Sequence, residues 1–227
     1  LSNRDPNKPF CLVIGHKATH RTWIPDAQDM GKYDHITFPL PHNFYDNYTN
    51  REAAKVQDMT ISKTMQMGYD LKMFGTENEA NKEGTIMRMN PEQRQKFDAY
   101  YGAVNADLKS KNLSGKELIE WKYQRYMRDY LSTAASLDRN IGRTLDYLKE
   151  HGLEENTIVI YLSDQGFYLG EHGWFDKRFI YEESFRTPMM MRYPAVVKPG
   201  TVSNDFVMNL DIAPTMLEAA GVAIPKD

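Results

Sequence analysis

The sequence predicts a mixed α/β domain, with a largely parallel sheet flanked by helices. Three observations carry this prediction. A short apolar run with β-branched residues lies near the start of the chain, a long amphipathic stretch lies in its middle, and a second short apolar run follows that stretch directly. This order is typical of parallel strands joined by a crossover helix. With 227 residues, the chain is long enough to form one domain with a substantial core.

The first element is a buried strand predicted over residues 9–14. Its residues are apolar, Val13 and Ile14 are β-branched, and Gly15 ends the run. Cys11 lies inside it and is expected to be a buried structural thiol. Residues 17–25 then follow the carboxyl end of that strand. From about residue 31 to 90 the chain is polar, rich in Met and weakly periodic, which predicts a long excursion over the surface.

Two helices are predicted next. Asn90 as N-cap and Pro91 in the first turn start a helix that runs to about Leu108. The second helix ends at the glycine Gly152. It has one apolar face, whose members recur at steps of three and four: Tyr126, Tyr130, Ala134, Leu137, Ile141, Leu145 and Leu148.

The remaining elements are short. A strand is predicted over 157–162 and another over 189–191, bounded by prolines. Asp211 is expected to cap a last helix over 212–220, which Gly221 ends.

Composition and charge exclude several classes of function. The net charge of −3 gives no basic surface for nucleic acid. No apolar run reaches the roughly 20 residues that a membrane helix needs, so neither nucleic acid nor membrane is an expected partner. Cys11 is the single cysteine, so no disulfide can form within the chain.

The residues with the clearest chemistry follow the strand over 157–162. Asp164 and Gln165 carry oxygen atoms of the kind that hold Ca²⁺ or Mg²⁺, and Lys177 could bind an anion beside them. His172 lies between Gly170 and Gly173, where backbone can approach a ligand closely. From local sequence alone, a turn cap is the favoured interpretation of Asp164. His172 could as readily bond its own backbone, and Lys177 could form a surface ion pair.

A second set of candidates lies after the first strand. Lys17 and His20 are three residues apart, and a histidine can donate a proton to a departing oxygen near neutral pH. The alternative is a histidine packed against Trp23, which local sequence alone favours.

Taken in order, these segments resemble the type I sulfatases of the alkaline phosphatase superfamily. The matching residues are 17–23, 163–166, 170–173, 176–178, 181–184, 186–188 and 211–215. The resemblance implies an alkaline-phosphatase-like sandwich, a bound Ca²⁺ (Mg²⁺ less so) and hydrolysis of a sulfate ester. It further implies that residues 1–227 are the central and carboxy-terminal part of the catalytic domain.

The resemblance also implies a role for each candidate. Asp164 and Gln165 match two metal ligands, Lys177 the lysine that contacts the sulfate oxygens, and His20 the histidine near the bridging oxygen. Lys17, His172 and Arg178 are then expected to contact the substrate.

One departure from the family is large. Its nucleophile is a formylglycine made in a Cys/Ser-x-Pro/Ala-x-Arg motif, and these residues contain none. Cys11 precedes Leu12 and Val13 and is not a candidate. The chain is therefore expected to be a segment of a sulfatase, inactive by itself and weak in Ca²⁺ binding because only two ligands remain.

The leading prediction is a sulfatase segment whose substrate is a sulfated saccharide, such as N-acetylglucosamine 6-sulfate in glycosaminoglycans, or an aryl sulfate. A phosphonate monoester hydrolase or phosphodiesterase of the same superfamily is the alternative enzyme. A non-catalytic protein that binds sulfated glycans is the alternative from another class. The resemblance implies a periplasmic or extracellular location.

Overall fold

The structure, a computed structural model, describes residues 1, 3–74 and 84–225. It divides into two compact units, Leu1–Leu145 with Tyr168–Asp176, and Asp146–Phe167 with Lys177–Asp227. The predicted α/β class is confirmed. The helices and strands are α1 (Glu52–Val56), α2 (Pro91–Lys111), α3 (Gly115–Glu150), β1 (Val159–Leu162), β2 (Tyr168–Leu169), β3 (Phe175–Asp176), α4 (Glu182–Phe185), β4 (Met189–Arg192) and α5 (Ile212–Ala219).

The two long helices form where the sequence predicts them. At the start of α2 the Asn90 side chain accepts a bond from the Gln93 backbone N–H, and the Gln93 side chain accepts one from the Asn90 N–H. This reciprocal cap satisfies two backbone donors that a helix end leaves open. The end of α3 is also as predicted, because Gly152 follows it with a φ of 63°. No helix in the described ranges has the length and apolar character needed to cross a membrane.

The core of the first unit is built on aromatic side chains. Trp23 is fully buried, and its ring centroid lies 4.6 Å from that of Tyr126 on α3 and 6.0 Å from that of Phe175 on β3. The Tyr126 hydroxyl donates to the Tyr168 carbonyl at 2.7 Å. This cluster therefore joins α3, the β2–β3 pair and the segment that follows His20.

Residues 31–90 contribute much of the same core, so the predicted surface excursion is wrong for the described part of that range. Met59, Ile61 and Leu71 are fully buried. The Ile61 N–H donates to the Gly173 carbonyl, and the Phe175 N–H donates to the Met59 carbonyl, so residues 59–61 run beside β3. These contacts join residues that are far apart in the chain. They produce no regular spacing of apolar residues from which burial could be predicted.

The described part of the second unit contains one antiparallel pair of strands. β1 pairs with β4 in the register Val159 to Arg192 and Leu162 to Met189. The pair β2–β3 of the first unit is also antiparallel. The predicted parallel arrangement is therefore not found among the described residues. Parallel neighbours need a long crossover connection, usually a helix, and α4 between β1 and β4 has only four residues.

The last helix lies where it was predicted, but its cap differs. The Asp211 carboxylate accepts a bond from the Met208 N–H at 2.7 Å, so it closes the turn before α5 and does not cap the helix itself. Gly221 follows the helix with a φ of 68°.

The first predicted strand does not form in the described structure. Residues 9–14 have no regular secondary structure, and Leu12, Val13 and Ile14 are exposed. Cys11 is exposed as well, so its predicted burial is wrong. A strand needs a neighbour for its backbone bonds and a layer over its side chains, and the described residues supply neither here.

Candidate functional site

The loop after β1 is held by backbone and hydroxyl bonds. The Ser163 hydroxyl donates to the Gln165 carbonyl at 2.7 Å, and the Asn209 side chain donates to the Asp164 carbonyl at 3.3 Å. The Asp164 side chain is exposed and that of Gln165 is half-buried. The turn is therefore closed by Ser163, while the carboxylate that was predicted to bind metal faces solvent.

Gly166 lets this loop approach α4 very closely. Its N–H donates to the Ser184 carbonyl at 2.8 Å, and the next N–H, of Phe167, donates to the Glu183 carbonyl. A Cβ atom added at Gly166 would lie 2.2 Å from the Glu183 oxygen and 2.8 Å from the Arg186 oxygen. Only glycine fits here without moving backbone.

Lys177 lies beside the end of this loop. Its ammonium is above the ring of Phe167, 5.9 Å from the ring centroid, and the side chain is half-buried. Arg178 is exposed. The second unit therefore places the Lys177 cation over Phe167, two residues after Gln165 in the chain. A carboxylate, an amide and a cation are the kinds of group that can hold a hard cation and an anion together.

The donor set fits a divalent cation, but incompletely. The oxygens of Asp164 and Gln165 are hard ligands of the kind that Ca²⁺ prefers, and Ca²⁺ takes about 6–8 of them. Within the described ranges, no three His, Cys, Asp or Glu side chains are gathered closely enough to hold a metal ion. Other ligands are therefore required to complete a site.

His20 lies in a turn of the first unit with its ring exposed. Nδ1 is 2.9 Å from the carbonyl oxygen of Arg21. A carbonyl can only accept, so Nδ1 carries the proton and donates, and Nε2 is the nitrogen left to act on a ligand. The alternative of a packed histidine does not agree with the structure, because the His20 ring is exposed. Lys17 is exposed and accepts the His20 N–H through its carbonyl.

Sequence reasoning missed the residues that hold the His20 turn. The Arg21 guanidinium donates two bonds, of 2.8 and 2.7 Å, to the fully buried carboxylate of Asp70. Burial opposes the charge of Arg21. The hydrogen bonds to Asp70 and the attraction of its negative charge outweigh burial and raise the pKa of Arg21 above its ordinary value. The side chain of Lys72 donates to the Thr22 and Trp23 carbonyls. Arg21 lies inside the motif, but Asp70 and Lys72 come from the segment predicted to be at the surface.

His172 is held by other side chains of the first unit. Its Nδ1 is 2.6 Å from the Asp46 carboxylate, and the Asn43 amide is 3.3 Å from Nε2. The Tyr48 hydroxyl donates to its backbone carbonyl, and its φ is 57°. The predicted contact of His172 with substrate stays a prediction; the structure gives both ring nitrogens partners within the protein.

The candidate residues are thus divided between the two units. Lys17, His20 and His172 belong to the first, and the second holds Asp164, Gln165, Lys177 and Arg178.

The close approach at Gly166 can be tested by substitution. Gly166→Ala is expected to lower the free energy of unfolding by about 2 kcal/mol, because backbone must move to admit the methyl group. Urea unfolding of the protein measures this loss of stability. The control is Gly142→Ala inside α3, where no atom lies within 4 Å of the added Cβ and alanine favours the helix. Equal stability of the two variants would refute the argument.

The Asp46 cluster predicts a change of stability in acid. Burial opposes the charge of Asp46, but its bonds to His172, Tyr48 and Arg51 lower its pKa from 3.8 to about 2. Because the folded-state pKa is lowered, the stabilisation is complete above the unfolded pKa and is lost as the pH falls from roughly 4 towards 2. Asp46→Asn should therefore lose less stability than the wild type over this range, by about 1–2 kcal/mol.

Urea midpoints at pH 4 and pH 2 measure this difference. Asp107→Asn is the control, because Asp107 is 54% exposed in its pair with Lys111 and exposed pairs contribute little. The Asp107 variant should follow the wild type, and an Asp46 variant that also follows it would contradict the prediction.

Comparisons with known proteins agree with the motifs. Residues 170–227 match the family described as N-sulphoglucosamine sulphohydrolase, C-terminal. The chain is 48% identical over 234 residues to the N-acetylglucosamine-6-O-sulfatase of Bacteroides thetaiotaomicron, covering 100% of this chain and 42% of that protein. It is 37% identical over 99 residues to an arylsulfatase of Clostridium perfringens, covering 42% of this chain and 21% of that protein.

A solved structure gives the same result for the fold. It is described as a complex of a protein with its substrate D-glucosamine-2-N,6-O-disulfate, and it superposes with a TM-score of 0.91 at 48% identity, covering 100% of this chain and 47% of that one. The chain thus spans less than half the length of these two relatives. The match extends over the whole chain in both sequence and fold, so these residues are similar throughout to a part of a sulfatase.

Proposed function

We propose that the full-length protein that contains this chain hydrolyses the 6-O-sulfate ester of a glucosamine. One observation carries the proposal most directly: the Lys177 ammonium lies beside the loop that presents Asp164 and Gln165. A cation next to a divalent metal stabilises the negative charge of a transferring sulfuryl group. The identity to an N-acetylglucosamine-6-O-sulfatase and to a protein solved with a 6-O-sulfated glucosamine supports the substrate.

Each candidate residue has a distinct task in this proposal. Lys177 binds the sulfate oxygens and stabilises their charge as the S–O bond to the sugar breaks. His20 acts in its imidazolium form, in which Nδ1–H stays bonded to the Arg21 carbonyl and the Nε2 proton passes to the bridging oxygen. The sugar then leaves as a neutral alcohol, and His20 is left as the neutral ring with its proton on Nδ1. Lys17, His172 and Arg178 are proposed to contact the sugar. The products are the alcohol and inorganic sulfate, with one water consumed.

Two groups are needed besides these side chains. Asp164 and Gln165 are proposed to give two of the oxygen ligands of a divalent cation, Ca²⁺ in preference to Mg²⁺, which supplies positive charge at the sulfate. The nucleophile that the family resemblance implies is a formylglycine, which supplies the oxygen that attacks sulfur. We propose that it lies in the part of the full-length protein that this chain does not span. We also propose that the full-length protein is exported to the periplasm or outside the cell, as the family resemblance implies.

The role of Lys177 is tested on the full-length protein with N-acetylglucosamine 6-sulfate. Lys177→Ala is expected to lower kcat/KM by about 10²–10³-fold, because one charge-stabilising donor of the transition state is lost. The control is Lys198→Ala, an exposed lysine of the same unit, which should leave the rate unchanged. Glucosamine 3-sulfate and a phosphate diester test the substrate: faster hydrolysis of either would contradict the proposed function.

The proposed metal is tested by removal. Chelation with EGTA should abolish hydrolysis, and Ca²⁺ should restore it better than Mg²⁺. A second readout does not depend on activity: Ca²⁺ should raise the thermal midpoint of the wild type, because a ligand that binds only the folded state stabilises it. Asp164→Ala should lose this shift. A midpoint that Ca²⁺ raises equally in both proteins would place the ion elsewhere.

A further inference from the structure

The turn that carries His20 is anchored by side chains from residues 70–72. Residues 18–22 form turns without helix or strand, so their position depends on contacts to the rest of the unit. Arg21 binds Asp70 through two bonds. Asp70 is itself fixed, because it is fully buried and accepts the Gln66 N–H at 2.8 Å. A two-point bond between a guanidinium and a carboxylate fixes orientation as well as distance.

The flat faces of the Arg21 guanidinium are also occupied. Its central carbon lies 5.0 Å from the ring centroid of Phe175 and 5.3 Å from that of Tyr69. Asp176 contributes a further carboxylate at 4.0 Å. The guanidinium is thus held at its donating edge and over two aromatic rings, so the main chain of Arg21 has little freedom to rotate.

A second anchor acts on the backbone immediately after Arg21. The Lys72 ammonium donates to the carbonyls of Thr22 at 3.0 Å and Trp23 at 3.3 Å. These are the next two carbonyls after that of Arg21. With Arg21 fixed through its side chain and Thr22 through its carbonyl, the orientation of the peptide group between them is set from both ends.

That peptide group contains the acceptor for His20. The Arg21 carbonyl receives the Nδ1–H of the His20 ring at 2.9 Å. A histidine whose Nδ1–H is bound to a fixed carbonyl keeps one tautomer and one ring orientation, and it presents Nε2 to a ligand. If the carbonyl rotated away, either nitrogen could carry the proton and the ring could turn.

We propose that Asp70 is a positioning residue for His20: by clamping Arg21 it orients the Arg21 carbonyl that holds the His20 ring with Nε2 ready to protonate the leaving oxygen. This inference deepens the proposed function and rests on it for the role of His20. Asp70 itself touches neither the ring nor the reacting atoms. It acts in two steps: the Asp70 carboxylate binds the Arg21 guanidinium, and the Arg21 carbonyl binds the His20 imidazole.

The test compares two sulfate esters that differ in their leaving group. A sugar alcohol is a poor leaving group and needs the proton from His20, whereas 4-methylumbelliferone leaves readily as an anion. In the full-length enzyme, Asp70→Asn should lower kcat about tenfold or more on N-acetylglucosamine 6-sulfate and less than threefold on the aryl sulfate, with KM little changed. A fold-wide disturbance would lower both rates equally, and that result would overturn the proposal.

A double substitution isolates the path through His20. If Asp70 acts only by positioning His20, the variant with both His20→Ala and Asp70→Asn should be no slower than His20→Ala alone. Additive losses would overturn the proposal. The matched control is Asp29→Asn, which removes another buried carboxylate of the same unit, bound by Arg139 and Ser136 of α3. It should lower both rates equally or leave both unchanged, and a selective loss in it would also overturn the proposal.

A measurement on the histidine ring separates this proposal from the proposed function. In protein labelled with ¹⁵N-histidine, the two-bond ¹H–¹⁵N spectrum of neutral His20 should show Nδ1 protonated in the wild type and a mixture of tautomers in Asp70→Asn. This readout needs no turnover, so it holds or fails even if the full-length protein does not hydrolyse sulfate esters. If Asp70→Asn does not fold, Arg21→Lys, which keeps the charge but loses the two-point bond, should give the same mixture; an unchanged spectrum overturns the proposal.

Discussion

The first unit depends on a charge pair that is almost completely removed from water. The side chains of Lys72 and Asp129 are 0% and 1% exposed, and their charged atoms are 2.7 Å apart. Burial lowers the pKa of Lys72, and the nearby Asp129 acts in the opposite direction. Removing one partner of such a pair leaves a buried charge without compensation, which costs about 3–5 kcal/mol.

The pair is stable in this position because neighbouring groups complete it. Arg125 and Tyr101 donate to the other oxygen of Asp129. Lys72 also donates to the Asp70 carbonyl, and it has a φ of 59°, a conformation that a side chain of its kind adopts at a cost of about 1 kcal/mol or more. The network offsets that cost. It ties α2, α3 and the segment before residue 74 to the turn that carries His20, so buried charges hold the turn of the candidate catalytic histidine in place.

The sequence predicted what is determined locally. α2 and α3 were found because Asn90, Pro91 and Gly152 mark their ends and because one apolar face repeats along α3. The α/β class and the family followed from the order of the motifs. The strands over 157–162 and 189–191 were also found within two residues of their observed bounds.

What the sequence could not predict depends on contacts between distant segments. Met59 and Ile61 are core residues in a stretch without period, and only their pairing with β3 buries them. Asp70, Lys72 and Asp129 are charged residues. From residue type alone, such residues are expected at the surface, because they are rarely buried unless they are paired. The candidate residues found by motif, among them His20 and Lys177, are those that we propose to contact the substrate. The residues missed are those that hold them.

Cys11 gives the exposed start of this chain a practical use. It is the single cysteine of the 227 residues and its thiol is exposed, so a maleimide dye added to this segment would attach at one known position. That position lies in the stretch that leads into the His20 turn, so the fluorescence of the dye would report on the surroundings of that stretch. The same thiol would also link two copies of the segment on oxidation, so a reducing agent belongs in any buffer used to handle it.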